Sequence, residues 1–326
     1  MTASAPLRLR GVAVRVFRRR RPSVSICVHL WMPRRFPSAS PRLSGKVFLH
    51  LLLALGAVTM ILPFLWMLST SLKPEAQIFR FPPVWIPSTW EWSNYSRAME
   101  AAPFGRYFLN TIIFSVAVTL SNLLFCSMAA YAFARLRFRG RNLLFILVLG
   151  TMMIPGQVTM VPVFVMLKHW PMVGGNDLLG AGGHGLLNSY VGLVLPGAVG
   201  AFGIFLLRQF FMTLPRELED AARIDGCSEA GIYWRIILPL SKPALATLGI
   251  FTFTAAWNEF LWPLLITSKD SMRTLQLGVQ VFQTQYTTSW DLLMAATVLI
   301  TLPVLLLFLA GQRYFTRGIA LSGIKG

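Results

Sequence analysis

The residues whose types and spacing suggest a task lie in one charged block, Thr213-Leu-Pro-Arg-Glu-Leu-Glu-Asp-Ala-Ala-Arg-Ile-Asp-Gly-Cys-Ser-Glu-Ala-Gly-Ile-Tyr-Trp-Arg-Ile-Ile-Leu-Pro-Leu-Ser-Lys-Pro243. Its chemistry is that of a contact surface rather than of bond breaking. Thr213 can cap a helix, Pro215 suits a first turn, and Glu217, Glu219 and Asp220 complement the positive end of the helix dipole. Gly226 can take the left-handed conformation that stops the helix. A second helix is predicted from Ser228 to about Leu238, where Pro239 and Pro243 limit its continuation. Two short helices at a turn make a rigid knob, and Ala221 and Ala222 let its surface approach another protein closely.

Catalytic arrangements are missing. Gly45-Lys46 is followed by Val47 and lacks the earlier glycine of a phosphate-cradling loop, so ATP hydrolysis is not expected on this chain. Gly-x-Ser-x-Gly and His-Glu-x-x-His do not occur, and His29, His50, His169 and His184 are scattered. Cys27, Cys126 and Cys227 are far apart and suggest neither a metal cluster nor a disulfide framework.

One further acid falls inside an apolar run. Glu259 stands beside Asn258, and an ionised carboxylate at the centre of a bilayer costs on the order of 3 kcal/mol unless it faces protein or water. It is therefore expected to point inward, either as a hydroxyl-binding or gating group or as a packing group paired to a neighbouring helix. Trp257 and Trp262 flank it and could stack on a solute ring, although aromatics at helical spacing are more often packing surface. Asn258, Glu259, Trp257 and Trp262 are the candidates for a translocation path.

The elements that must position these residues are membrane spans. The chain has 326 residues, 55% hydrophobic and 13% charged, with a mean hydropathy of +0.60, which excludes an ordinary soluble domain. Six apolar segments can each cross a bilayer: Val47–Leu68, Phe108–Phe133, Leu143–Leu167, Leu186–Phe211, Ala244–Ile266 and Leu292–Phe315. The expected fold is an all-α, six-helix membrane bundle over residues 47–326, with the knob at 213–239. The first span is too long for a cleavable signal and should stay as an anchor. Pro155, Gly156 and Pro162 predict a kink or break in the third.

The formal charge of +18 does not point to nucleic acid, because the basic residues flank apolar spans. They concentrate in the tail, in Arg135, Arg137, Arg139 and Arg141, and in the charged block, against a sparser set that includes Lys168, Lys269 and Arg273. Both termini are therefore expected to be cytoplasmic. Residues 1–46 are basic, lack acids and are broken by Pro22, Pro33, Pro37 and Pro41, so the expectation is a disordered tail or one lying on anionic membrane lipid. Trp85, Trp90, Trp92 and Tyr95 in the first external loop suit the headgroup zone.

Asp220-Ala221-Ala222, Asp225-Gly226 and Ile237-Leu238-Pro239 together resemble the EAA loop of permeases in binding-protein-dependent ABC importers. The resemblance runs from about Gly45 and includes Pro63 to Ser71, Trp257-Asn258-Glu259-Phe260 and the ending Ser322-Gly323-Ile324-Lys325-Gly326. It is similar to the maltose-type carbohydrate permeases, in particular the second permease subunit of a heterodimeric pair. The resemblance implies that Asp220, Ala221, Ala222 and Gly226 couple to an ATPase, within a motif that extends to Glu219, Asp225 and Pro239. It also implies a second permease subunit, two ATP-binding subunits carrying ATP and magnesium, a solute-binding protein outside the cell, and a bacterial or archaeal plasma membrane. Asp220 stands where Glu is common, which keeps the charge and shortens the reach by one methylene; Cys227 stands where Ala is common. An ion-coupled secondary transporter is the alternative, with Glu259 alone as a clear mid-span acid.

Overall fold

A computed structural model describes residues 8–9, 12–13, 43–283 and 287–323. The chain divides into two compact units, Met1–Pro63 and Phe64–Gly326. Most of the basic tail and the last three residues of the family-like ending lie outside the described residues. In the first unit, Arg8–Leu9 pairs antiparallel with Val12–Ala13; elsewhere the described residues are mostly helical.

The principal helices are α1 (Leu43–Ser71), α2 (Ser93–Glu100), α3 (Phe104–Arg135), α4 (Arg141–Thr151), α5 (Gly156–Lys168), α6 (Tyr190–Val194), α7 (Ala201–Thr213), α8 (Glu217–Ile224), α9 (Glu229–Ile232), α10 (Lys242–Trp257), α11 (Leu261–Ile266) and α12 (Trp290–Gly323). Among the described residues, three unbroken helices are long and apolar enough to cross a membrane: Val47–Ser71, Phe104–Arg135 and Trp290–Gln312. The others are bent. Arg141–Thr151 meets Gly156–Lys168 at 99°, Tyr190–Gly197 meets Ala201–Thr213 at 48°, and Glu229–Leu240 meets Lys242–Trp257 at 77°. Counting each pair as one span gives six.

One of these bends and a further break have local causes. Pro155 has no amide hydrogen to donate and starts the second half of its span, so the predicted break is a sharp turn. The fifth span was expected to be continuous from Ala244 to Ile266. It instead stops at Trp257 and restarts at Leu261, with Pro263 inside the new helix.

α3 is the central strut, packed against α7 and α10, while α12 packs on α10 and α2. Its buried polar residues bond to neighbouring segments: Asn110 Nδ2 donates to the Ser271 and Arg273 carbonyls, and Asn122 Nδ2 donates to the Gly197 carbonyl. Polar groups holding helices together in this way suit a setting without water. At Gly203 an added Cβ would meet Cys126 Sγ at 3.0 Å, so α7 can approach α3 this closely only without a side chain. By contrast, the α1 side chains from Val47 to Leu65 are exposed, the pattern of a helix solvated by lipid or covered by another subunit.

Candidate functional site

The knob between α7 and α10 is built from both predicted helices, with two differences. Thr213 does not cap α8. It ends α7, its Oγ1 donating to the Phe210 carbonyl at 2.7 Å, and Leu214 is extended, so Arg216 takes the capping position. The second helix also does not stop at Pro239. A π turn over Tyr233–Ile237 carries the chain through Leu238–Leu240, and the Leu238 amide reaches back to the Tyr233 carbonyl. The wider turn shifts the bonding pattern just before Pro239, which has no amide hydrogen to continue it.

Between the helices Gly226 has φ +80°. Its amide donates to the Arg223 carbonyl at 3.1 Å and that of Cys227 donates to the Ala222 carbonyl at 2.9 Å, the paired bonds of a left-handed helix stop. Ser228 Oγ then caps α9 by accepting from the Gly231 amide at 3.2 Å.

Charges lock this turn. Arg223 pairs with Asp220 at 2.9 Å, Glu229 at 2.9 Å and Glu219 at 3.6 Å. The hydrogen bond to Glu229 holds the Arg223 guanidinium above its ordinary pKa. The same bond, with a second from the Tyr131 hydroxyl at 2.7 Å, holds the Glu229 carboxyl below its ordinary value. Glu219 is 2% exposed, and its carboxylate lies 2.8 Å from Arg135 Nε. Burial pushes this carboxyl up, against the downward pull of Arg135 and Arg223.

Sequence reasoning missed the other half of the knob, which belongs to α3. Ser127, Tyr131 and Arg135 lie four residues apart on one face. Ser127 Oγ bonds the Tyr233 hydroxyl at 2.7 Å, Tyr131 bonds Glu229, and Arg135 holds Glu219 while Nη2 donates to the Phe211 and Leu214 carbonyls. Their spacing on an otherwise apolar span was the available signal. The opposite face of the knob is free: Asp220, Ala221, Asp225, Gly226 and Pro239 are exposed, Ile224 is 86% exposed, and Ala222 turns inward.

The four path candidates separate. Glu259 and Trp262 line a cavity of about 790 Å³ together with Asn122, Gln157 and Thr252. Glu259 Oε1 accepts from the Trp262 amide at 3.2 Å, where α11 begins, and Trp262 Nε1 donates to the Gly192 and Leu193 carbonyls. Trp257 is 1% exposed, donates to the Ile300 carbonyl and stacks on Phe253, so it packs the core. Asn258 donates to the Thr254 carbonyl and accepts from Gln276, outside the cavity lining. Among the described residues no cluster of His, Cys, Asp or Glu could hold a metal ion.

A multi-pass helical bundle with broken spans around a cavity, and a clamped knob on one face, has the architecture of a permease. The description "Binding-protein-dependent transport system inner membrane component" matches residues 122–321, and the chain belongs to that family. It is 36% identical over 269 residues to the arabinooligosaccharides transport system permease protein AraQ of Halalkalibacterium halodurans, covering 82% of this chain and 91% of the relative. It is also 36% identical to the sn-glycerol-3-phosphate transport system permease protein UgpE of Yersinia pestis, over 84% of this chain and 95% of the relative. Its fold matches a chain from the crystal structure of a bacterial ABC transporter involved in the import of the acidic polysaccharide alginate, with a TM-score of 0.72 at 26% identity, covering 87% of this chain and all of that one. This is an inner-membrane permease subunit of an ABC transporter.

Proposed function

We propose that this subunit imports a sugar or oligosaccharide, with both termini and the knob on the cytoplasmic side. The knob takes its motion from two ATP-binding subunits that carry the ATP and magnesium. A second permease subunit completes the path, and an extracytoplasmic binding protein delivers the solute. The observation that carries the coupling reading is the clamp itself. Glu219 and Glu229 tie the knob to Arg135 and Tyr131 of the longest span in the core, so a push on the exposed Ala221, Ile224 and Gly226 surface is transmitted to α3 rather than absorbed locally.

The cavity supports a neutral, hydroxylated solute. Its lining has one carboxylate, Glu259, two amides, Asn122 and Gln157, two hydroxyls, Thr159 and Thr252, a largely apolar remainder, and no Lys, Arg or His among the described residues. Such a lining suits sugar hydroxyls and repels a phosphate or uronate. The test is uptake in proteoliposomes by the purified assembly. Neutral oligosaccharides should accumulate only with ATP inside, and glycerol phosphate should not compete. Uptake driven by an ion gradient without ATP would sink this reading in favour of the secondary transporter.

A further inference from the structure

A second cavity, of about 490 Å³, lies where α3 ends and the knob begins, lined by Arg137, Arg141 and Arg216 with Gly140, Asn142 and Leu143. Gly140, at φ +79°, turns the chain into α4, an 11-residue helix with no side-chain cap. The amides of Asn142 and Leu143 find no acceptor among the described residues, so the positive end of α4 faces the cavity. Arg141 is held by its donation to the Leu136 carbonyl at 3.2 Å, while Arg137 and Arg216 enter no ion pair among the described residues. No acid lines the cavity: the nearby Glu219 is committed to Arg135 and Arg223.

Three guanidiniums and a helix start lining one cavity, with no acid in that lining, are stabilised by an anion. The planar donor fork of arginine fits phosphate oxygens in pairs. The position supplies the source, since the end of a membrane-crossing helix is where a bilayer places its headgroups, and basic pockets between spans hold anionic ones. We propose that this cavity binds a phosphate ester, supplied by an anionic phospholipid headgroup or by a soluble phosphate. Bound phosphate bridges the α3–α4 turn to Arg216 at the root of α8, adding a second brace to the knob beside the Glu219 clamp.

The full-length chain, purified in mild detergent with the subunits that accompany it, is tested by native mass spectrometry after exposure to phosphatidylglycerol or phosphatidylcholine. Wild type should retain phosphatidylglycerol selectively, and the Arg137→Gln/Arg216→Gln pair should lose that retention by about thirtyfold. Arg139→Gln, outside the lining, should behave as wild type. Asn142→Asp guards against a folding artefact, because a carboxylate in the first turn of α4 favours the helix while occupying the anion site; it should lose retention as well. A parallel thermal-shift arm with inorganic phosphate separates the sources: stabilisation abolished by Asn142→Asp assigns the site to a soluble phosphate. Equal retention of both lipids by wild type together with no phosphate effect, or unchanged binding in Asn142→Asp, would overturn the proposal. No ATP enters the measurement, so its outcome is independent of the coupling reading.

Discussion

The knob and the cavity wall are both made from interrupted helices, and they are held in opposite ways. At the knob the interruption is bound on every side: a left-handed stop at Gly226, a Ser228 cap, and two arginines shared among Asp220, Glu219 and Glu229. At the cavity the breaks between α6 and α7 and between α10 and α11 are bridged by uncharged groups and a single carboxylate, with no ion pair among the described residues: Asn122 donates to the Gly197 carbonyl, Cys126 bonds Gly200, Asn258 accepts from Gln276, and Glu259 caps Trp262. A lever must keep its shape under load, whereas a path must change shape to switch access. Broken spans supply either property, depending on whether charge closes the break.

The largest expected effect comes from removing the lock. Glu219→Ala leaves Arg135, whose side chain is 3% exposed, buried without its counter-charge. That should cost on the order of 3 to 5 kcal/mol, read as accelerated hydrogen exchange across α8 and α9 and loss of co-purifying ATPase. Replacing both partners, as in Arg135→Met with Glu219→Leu, should recover much of the exchange protection without the charges. If Glu219→Ala leaves knob exchange unchanged, the rigid side of the comparison fails.

Gly226→Val comes next. Nothing lies within 4 Å of an added Cβ, so its cost is purely that of the backbone, about 1 to 2 kcal/mol for a β-branched residue at positive φ. Gly226→Asn should be milder, because Asn tolerates that region. Equal effects of the two on ATPase association would mean that the exposed surface, rather than the turn geometry, controls docking. Ser228→Ala should cost about 1 kcal/mol through the lost cap. Glu259→Ala removes one hydrogen bond at the start of α11 and should change stability less than solute uptake, which sharpens the contrast between the two breaks.

Much of this contrast was legible in the sequence. The Gly226 stop, the Ser228 start, the break at Pro155 and the inward Glu259 follow from local rules of backbone conformation and burial. Three features did not. Thr213 looked like a cap because its type fits, yet α7 runs two residues past the expected span end at Phe211 and absorbs it. Pro239 looked like a stop, but a π turn placed before it lets the chain continue. The Ser127, Tyr131 and Arg135 stripe read as part of an apolar span with a basic end, because its partners lie 76 to 106 residues away and only the fold brings them together.

The smallest effect is one of sign. Glu229 has a lowered pKa in the folded chain, so its contribution is complete above the ordinary carboxylate value and is lost as pH falls through the lower folded one. Glu219 has a raised pKa, so its contribution is present below the unfolded value and is lost as pH rises through the folded one. The two slopes oppose each other across the weakly acidic range. Exchange protection of the knob should therefore pass through a shallow extremum there, and each single variant should leave a monotonic slope. Glu229→Gln should remove the loss on the acid side, and Glu219→Gln the loss on the alkaline side. Glu259→Gln, at the cavity, should alter neither limb of the knob profile; a change in either would show that the two breaks are coupled through α3 and do not respond independently.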